Sequence, residues 1–250
     1  MNAAPPAIAL ERVSKAFGDL KVLDEVSLEV SAGSCCCVLG RSGTGKSVML
    51  KHIVGLMAPD AGRVIVEGHD LAALDRRALA RARLRIGFLF QNAALFDSVT
   101  VGENVAFPMR RHTDLSDAEI RRRALEKLEQ VGLGAAFDKM PADLSGGMKK
   151  RAGLARAMAL DAPILLVDEP SAGLDPVTSA EIDELLAGLK HHAGTTLVVV
   201  THNIPSARAL GDELVFLHQG RVLERGTVEA LEASPHEIVG TFMASAGSTG

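Results

Sequence analysis

A glycine-rich loop between a predicted strand and a predicted helix restricts the fold of this chain more than any other feature. The loop fits the pattern G-x-x-x-x-G-K-[ST], and it consists of Gly40, Arg41, Ser42, Gly43, Thr44, Gly45, Lys46 and Ser47. Before it, Cys35–Leu39 is a near-continuous apolar run, which predicts a strand buried on both faces. After it, residues 46–54 predict a helix. Strand, loop and helix in this order are typical of a parallel sheet that binds phosphate.

Each part of this loop suits a nucleotide phosphate. Glycines allow backbone N–H groups to turn inward around phosphate oxygens, and the helix that opens at Lys46 adds its positive N-terminal end. In loops of this type the lysine, here Lys46, reaches the β- and γ-phosphates, and the hydroxyl of Ser47 is a ligand of Mg²⁺. A chance glycine-rich turn is the alternative, but the strand before it and the helix after it argue against that.

Two acidic residues at the end of a later strand supply the second part of a predicted site. Residues 164–167 form an apolar run that ends in Asp168 and Glu169. The carboxylate of Asp168 is expected at the carboxyl edge of the sheet, where parallel folds bind ligands, and it would hold Mg²⁺ directly or through water. Glu169 points the other way and is expected to polarise an attacking water as a general base. Adjacent acids are also common in turns, but the upstream phosphate loop favours catalysis.

The composition describes a globular protein of moderate size. Of the 250 residues, 47% are hydrophobic and 23% are charged, which is enough for one substantial core. The formal charge of -4 gives no general attraction to nucleic acid, so no nucleic-acid partner is expected. No apolar run approaches the roughly 18–20 residues that cross a bilayer, and the first ten residues lack a secretory pattern. A cytosolic location is expected, with any membrane contact made indirectly, through a partner.

The three cysteines of the chain are consecutive, at Cys35, Cys36 and Cys37. Metal sites and disulfide frameworks need spaced cysteines, so neither is expected here. We predict instead that the thiols are small buried side chains on the strand before the phosphate loop, with a redox role as the alternative.

The rest of the chain shows two types of pattern. Short β-rich pieces open the chain, and β and α patterns alternate again after residue 160, up to a hairpin at 213–224. Between them the pattern is helical: Ser116 and Glu119 have the spacing of a capping box, and the charges after them are interpreted as a solvated helix face. A second helix is predicted from Ser145. The basic residues near its start are expected to face solvent, with lipid or phosphate contact as the alternative, and they are Lys149, Lys150 and Arg151.

A five-residue motif links these parts to a known family. Leu144-Ser145-Gly146-Gly147-Met148 lies well after the phosphate loop and shortly before Asp168 and Glu169. With these motifs in this order, residues 8–230 resemble the ATP-binding subunit of an ABC transporter. The resemblance implies an α/β fold of the P-loop NTPase type, with a mixed-sheet core, an N-terminal antiparallel β subdomain and an inserted helical subdomain. It places the core in residues 8–91 and 161–230, the helical subdomain in 92–160 and a tail in 231–250.

The resemblance also implies roles for single residues, with ATP and Mg²⁺ as the bound groups. Gln91 has the position that senses the γ-phosphate and Mg²⁺ and relays this to a membrane partner, and His202 has that of a switch histidine contacting the γ-phosphate. Phe17 is the best candidate to stack on adenine, where the family commonly has tyrosine; core packing is the alternative. Residues 171–175 are similar to a loop that crosses a dimer interface. The residues expected to close on ATP held by a second copy, in a head-to-tail homodimer, are Ser145, Gly146 and Gly147.

Two details narrow the resemblance to a lipid-transport branch that includes the bacterial Mla-type, MCE-associated phospholipid transport ATPases. The signature motif ends in Met148 where glutamine is usual, and residues 88–108 look like that branch. The implied partners are a transmembrane permease, a periplasmic MCE-type lipid-binding protein and a small regulatory protein, with the chain at the cytoplasmic face of the bacterial inner membrane. An importer of amino acids or metals is the alternative among transporters, and a soluble ABC ATPase is the alternative outside them.

Half of the eight phenylalanines lie in this same segment, at Phe88, Phe90, Phe96 and Phe107. They form either a groove for a coupling helix of the permease or the core of the helical subdomain. The residues themselves leave both interpretations open.

Overall fold

A six-stranded mixed sheet forms the centre of the structure, a computed structural model that describes residues 5–245 of the chain. Its strands are β3 (Cys35–Leu39), β6 (Ile86–Leu89), β7 (Ile164–Asp168), β8 (Thr196–Thr201), β9 (Glu213–His218) and β10 (Arg221–Gly226). They lie in the order β10-β9-β3-β8-β7-β6. Neighbours from β9 to β6 are parallel, and β10 is antiparallel to β9 as the predicted hairpin requires. The last five positions of the expected tail lie outside the described residues.

A second sheet is antiparallel and comes from the N-terminal part of the chain. Its strands are β1 (Ile8–Phe17), β2 (Leu20–Val30), β4 (Ala61–Val66) and β5 (His69–Asp70). They lie in the order β2-β1-β4-β5, and the register of β1 shifts between Leu10 and Val13 against β2. Together the two sheets confirm the expected α/β fold with an antiparallel β part beside a mixed-sheet core.

Nine helices surround the sheets within the described residues. They are α1 (Lys46–Ile53), α2 (Arg76–Arg83), α3 (Val101–His112), α4 (Asp117–Gln130), α5 (Gly146–Ala157), α6 (Pro176–Ala193), α7 (Ile204–Leu210), α8 (Val228–Glu232) and α9 (Glu237–Ala244). The helices α3, α4 and α5 pack against one another, and α5 also packs against β6. Their treatment as one inserted subdomain stays a prediction. Across residues 5–245, no helix has the length and apolar character that crossing a membrane requires.

The sequence pattern did not indicate α2 and α3. The helix α2 has only eight residues, and its apolar side chains, such as Leu79 and Ala82, are only partly buried, so its apolar pattern is too short to identify a helix. The helix α3 contains Pro108, which normally argues against a helix interior. Its start is nevertheless well specified, because Thr100 Oγ1 accepts from the Glu103 N–H and the Glu103 carboxylate accepts from the Thr100 N–H at 2.9 Å.

The capping box predicted for α4 is only half formed. Ser116 does cap the helix, since its Oγ accepts from the Glu119 N–H at 3.3 Å. The Glu119 carboxylate pairs with Arg122 and Arg123 instead of reaching back to Ser116. These pairs, through hydrogen bonds and charge, lower the pKa of Glu119 to about 2. The ion pairs of Glu119 with Arg122 and Arg123 therefore replace the second bond of the capping box, while the cap from Ser116 remains.

The strand β3 lies between two hydrophobic clusters, one on each face of the central sheet. Cys35, Cys37 and Leu39 belong to the cluster that includes α3, α4 and α5, whereas Cys36 and Val38 belong to the cluster that includes α1 and the antiparallel sheet. All five residues are at most 1% exposed. Burial raises the pKa of the Cys36 thiol, and a hydrogen bond between Cys35 and Cys37 together with burial raises the pKa of Cys37. The prediction of a strand buried on both faces, with the cysteines as small buried side chains, is thus confirmed.

Close packing between β6 and α5 generates a test of this fold. A Cβ added at Gly87 would lie 2.4 Å from the Ala157 carbonyl oxygen and 3.0 Å from Leu165 Cδ1. We expect Gly87→Ala to lower the free energy of unfolding by about 1–3 kcal/mol, because a backbone atom must move. Urea denaturation of the purified chain measures this.

A matched control comes from a glycine with free space around it. Gly188 lies inside α6, and a Cβ there would meet nothing within 4 Å. Gly188→Ala should therefore raise stability by about 0.5–1 kcal/mol through helix propensity. Equal urea midpoints for Gly87→Ala and the unmodified chain would show that β6 and α5 are not in close contact.

Candidate functional site

The phosphate loop leads from β3 into α1, and its backbone requires glycine at several positions. Gly40, Gly43 and Gly45 have φ angles of 148°, 80° and 103°. A Cβ at Gly40 would lie 2.3 Å from the Leu217 carbonyl oxygen, and one at Gly45 would lie 2.7 Å from that of Val22. Both the conformation and the space therefore exclude larger residues. This is the local structure that the sequence pattern predicts.

Lys46 opens α1 with its ammonium held inside the loop. It is 6% exposed, and Nζ donates to the carbonyl oxygens of Gly40 at 2.7 Å and Arg41 at 3.1 Å. Nζ also lies 3.7 Å from Glu169 Oε1. Burial lowers the pKa of Lys46, and the charge of Glu169 opposes that shift. A buried ammonium at the start of a helix, already bonded to oxygen acceptors, is suited to an anionic phosphate.

Ser47 and Asp168 place two oxygens side by side next to this loop. Ser47 Oγ donates to Asp168 Oδ1 across 3.0 Å. Neighbouring ligands of octahedral Mg²⁺ are about 2.9 Å apart, and hydroxyl and carboxylate oxygens are of the type that this ion prefers. Burial raises the pKa of Asp168, and the bond from Ser47 opposes the rise. The pair therefore fits a magnesium ion that is also bound by phosphate.

Glu169 and His202 meet at the same edge of the sheet. Glu169 Oε2 accepts from the His202 backbone N–H at 3.3 Å and lies 2.8 Å from His202 Nδ1. The side chain of Glu169 is 11% exposed and that of His202 is 58% exposed, so the imidazole is accessible to a ligand while the carboxylate is held. Together with the 3.7 Å contact to Lys46, this brings three predicted site residues into one cluster.

The backbone of Glu169 is strained. Its φ of 49° is left-handed, a conformation that costs a non-glycine residue about 1–3 kcal/mol. Its N–H donates to the Val200 carbonyl at 2.8 Å, which helps to hold this conformation. Strain of this type persists only where surrounding contacts fix it, so the structure stabilises one orientation of the Glu169 carboxylate.

Phe17 and Gln91 are both exposed. Phe17 is 47% exposed at the end of β1, which excludes the core-packing alternative, and Lys15 Nζ lies 5.8 Å from its ring centroid. The Gln91 side chain, just beyond β6, makes no hydrogen bond to Ser47 or Asp168 among the described residues. The part of Gln91 in a Mg²⁺ site and the stacking of adenine on Phe17 remain predictions.

The signature motif forms the N-terminus of α5. Ser145 caps the helix by accepting from the Met148 N–H at 3.3 Å, and both Ser145 and Gly146 are exposed. Gly147 is buried, and a Cβ there would lie 2.4 Å from Thr178 Cγ2. The first N–H groups of a helix have no partner inside it. An exposed helix start of this type can accept an anion that comes from outside the chain.

Lys150 corrects one prediction made from the sequence. Lys149 and Arg151 are partly exposed, but Lys150 is only 7% exposed and does not face solvent. Its Nζ donates to the carbonyl of Glu169 at 2.9 Å and to that of Gln91. A usable signal was present, because Gly147, Lys150 and Leu154 have the i, i+3, i+7 spacing of the buried face of α5.

The four phenylalanines line one groove of about 320 Å³ between β6, α3 and α5. Phe88 and Phe90 stack with ring centroids 4.2 Å apart, and Phe96 and Phe107 meet edge to face at 5.1 Å. Phe96 is 46% exposed and Phe107 is 50% exposed, so these two rings are not core residues. Arg156 borders the groove and fixes its wall by donating to the carbonyls of residues 93 and 94 at 2.7 Å.

Comparison with known proteins agrees with this geometry. Residues 23–172 match the family model described as ABC transporter. A probable ribonucleotide transport ATP-binding protein, mkl of Mycobacterium leprae, is 40% identical over 95% of this chain and 68% of its own length. The methionine import ATP-binding protein MetN of Caulobacter vibrioides is 44% identical over 91% of this chain and 69% of its own. The chain thus spans about two thirds of the length of these relatives.

Two further similarities concern a phospholipid system and a solved structure. The intermembrane phospholipid transport system ATP-binding protein MlaF of Escherichia coli K12 is 37% identical over 94% of this chain and 88% of its own length. A dimeric ATP-binding cassette in a post-hydrolysis state, bound to ADP and Pi, has a TM-score of 0.82 at 36% identity, covering 88% of this chain and 98% of that one. The chain therefore belongs to the ABC transporter family, as an ATP-binding subunit that binds ATP with Mg²⁺ and hydrolyses it.

Proposed function

We propose that this chain powers phospholipid transport, acting as a head-to-tail homodimer at the cytoplasmic face of the bacterial inner membrane. The similarity to MlaF over most of both chains supports the substrate class. Met148 in the signature motif and the segment 88–108 support the same branch. The partners in this proposal are a transmembrane permease, a periplasmic MCE-type lipid-binding protein and a small regulatory protein.

The phenylalanine groove is the observation that carries the assignment to a transporter. Two aromatic rings, Phe96 and Phe107, are about half exposed in a groove next to the predicted sensor Gln91. Exposed apolar grooves of this type suit the apolar face of a helix. A coupling helix of the permease seated there would contact the same segment that leads to Gln91, so its movement would reach the ATP site.

The hydrolytic step is assigned to the cluster at the sheet edge. Lys46 binds the β- and γ-phosphates, and Ser47 with Asp168 holds Mg²⁺, which neutralises phosphate charge when bound. Glu169 accepts a proton from the attacking water. The contact between His202 Nδ1 and Glu169 Oε2 orients that carboxylate and leaves the far side of the imidazole for the γ-phosphate.

The homodimer supplies the group that one chain lacks. The exposed start of α5, with Ser145 and Gly146, is available to the γ-phosphate bound by a second copy. ATP binding then favours the closed dimer, because the binding site for each γ-phosphate is complete only when both chains contribute to it. Hydrolysis removes this preference and resets the pair.

A second candidate substrate follows from the similarity to MetN. That protein is named for methionine import, and its identity to this chain is higher than that of MlaF. The ATP site is shared among importers and lipid transporters, so it does not separate them. A soluble ATPase is the third candidate, and the exposed groove argues against it.

Purification of the tagged chain from its native membranes in mild detergent separates these candidates. We expect mass spectrometry to find a permease, an MCE-type protein and bound phospholipid. Recovery of a solute-binding protein for amino acids in their place would indicate that amino acids, not phospholipids, are transported. Recovery without any membrane protein would favour the soluble ATPase. Phe107→Asp should abolish recovery of the permease, whereas Leu56→Asp, an equally exposed apolar residue outside the groove, should not.

Replacement of the proposed general base tests the mechanism. Glu169→Gln keeps the shape of the side chain but removes the proton acceptor, so kcat should fall about 10²–10⁴-fold. ATP should then hold the chain as a dimer, which light scattering after gel filtration would detect. Glu184→Gln, at an exposed position of α6, should behave as the unmodified chain. Hydrolysis by Glu169→Gln at the normal rate would exclude Glu169 as the base.

The exposed ring of Phe17 gives a separate prediction for adenine binding. Phe17→Ala should raise KM for ATP about tenfold, because an aromatic stacking contact is worth about 0.5–1.5 kcal/mol beyond its buried area. Phe17→Tyr should keep the normal KM, since the ring face is retained. Steady-state kinetics with ATP measure both, and an unchanged KM in Phe17→Ala would show that adenine is bound elsewhere.

A further inference from the structure

Lys150 joins three parts of the site that lie far apart in the sequence. It belongs to α5, the helix that begins at the signature motif. Its Nζ donates to the carbonyl oxygen of Gln91, which follows β6, and at 2.9 Å to that of Glu169, which follows β7. At 7% exposure the ammonium has little access to water. The Lys150 ammonium therefore connects α5 to the residue that follows β7 and to the segment after β6 that borders the phenylalanine groove.

The contact at Glu169 is made where the backbone is strained. Its left-handed conformation determines where its carboxylate points, and three hydrogen bonds to its backbone hold it. Its N–H donates to the Val200 carbonyl, and its own carbonyl accepts from Lys150 Nζ at 2.9 Å and from the Ala172 N–H at 3.3 Å. Loss of the charged bond from Lys150 would leave this carbonyl only the longer bond from the Ala172 N–H, so the peptide group after Glu169 would be held less firmly. The carboxylate would then be held less firmly in its 2.8 Å contact with His202 Nδ1.

Charge makes this link stronger than an ordinary side-chain contact. Hydrogen bonds from an ammonium are about twice as strong as those from a neutral donor. Burial lowers the pKa of Lys150, and the carboxylates of Glu169 and Asp168 oppose that shift and favour the charged form. A charged donor in a poorly hydrated place has few alternative partners, so its two carbonyl bonds persist.

We propose that Lys150 is a positioning residue that holds Glu169 in its reactive orientation and couples that orientation to the Gln91 segment. The inference rests on the proposed role of Glu169 as general base. A shift of the Gln91 carbonyl, driven from the groove, pulls on the Lys150 ammonium and so moves the Glu169 backbone. Lys150 touches neither ATP nor water in this scheme and acts only through Glu169.

The first test compares variants of Lys150 in the purified full-length chain. Lys150→Met removes the donor, so kcat should fall about 10- to 100-fold, as expected when a catalytic group is misplaced. KM for ATP should change less than about threefold, because Lys46 and the phosphate loop are unaffected. Lys150→Arg keeps a charged donor and should recover most of kcat. Lys149→Met, one position away and partly exposed, is the matched control and should retain normal kcat.

A double-mutant cycle separates positioning from a general structural role. If Lys150 acts through Glu169, Lys150→Met should have no further effect on single-turnover hydrolysis in the Glu169→Gln background. Equal and independent losses in both backgrounds would overturn the proposal, and so would normal kcat in Lys150→Met. Urea midpoints show whether each variant folds, and if Lys150→Met does not, Lys150→Leu, which also lacks a donor, replaces it with the same expected loss of kcat. Normal hydrolysis by Glu169→Gln alone would instead refute the proposed general base.

Discussion

The register of the parallel strands is the constraint on which the site depends. In the central sheet Leu39 is paired with Thr201, Asp168 with Val200, and Leu89 with Val167. The residues that follow these positions therefore emerge at one edge, level with one another. Side chains alternate along a strand, so a slip of β7 by one residue would exchange the directions of Asp168 and Glu169. The hydrophobic clusters on both faces of the sheet oppose such a slip, and the core in this way determines the geometry of the chemistry.

The residues at strand ends were predictable because the sequence itself contains their context. An apolar run followed by a glycine-rich loop or by two acids identifies both the strand and its functional end, as at Lys46, Asp168 and Glu169. Phe17 is exposed, as stacking on adenine requires, and the stacking itself stays a prediction. For Gln91 the sequence indicates its position directly after β6 but not its side-chain partners, since the side chain makes no hydrogen bond to Ser47 or Asp168 among the described residues.

Other features were not predictable, for physical reasons that differ. The helix α2 has only eight residues and no fully buried side chain, so its apolar pattern is too short to identify it. Lys150 has a charged side chain, and charge beside a helix start normally indicates solvent. Its partners are the backbone carbonyls of Gln91 and Glu169, which follow two different strands, and a sequence does not show which carbonyls tertiary packing brings to a side chain. The half-formed cap at Ser116 has a similar cause, because Glu119 had several possible partners and spacing did not rank them.

Four buried charges surround the end of β7 and offset one another. Lys46 and Lys150 are cationic, Asp168 and Glu169 are anionic, and all four are less than 9% exposed. A single unpaired ion at such a depth would be strongly destabilising. Burial lowers the pKa of both lysines and raises that of Asp168, while opposite charges act against each shift. The charged form of each lysine is therefore stabilised by the carboxylates beside it, and Lys46 does the same for Asp168.

The position of the three cysteines has a practical consequence for spectroscopy. They are all the thiols of the chain, they lie on the most buried strand, and burial keeps Cys36 and Cys37 protonated. Thiol reagents attack the thiolate and need access to it, so the native fold shields these groups. A cysteine introduced on the surface would then carry a probe selectively, without prior removal of the natural thiols. Distances between two copies of the chain become measurable in an otherwise unaltered protein.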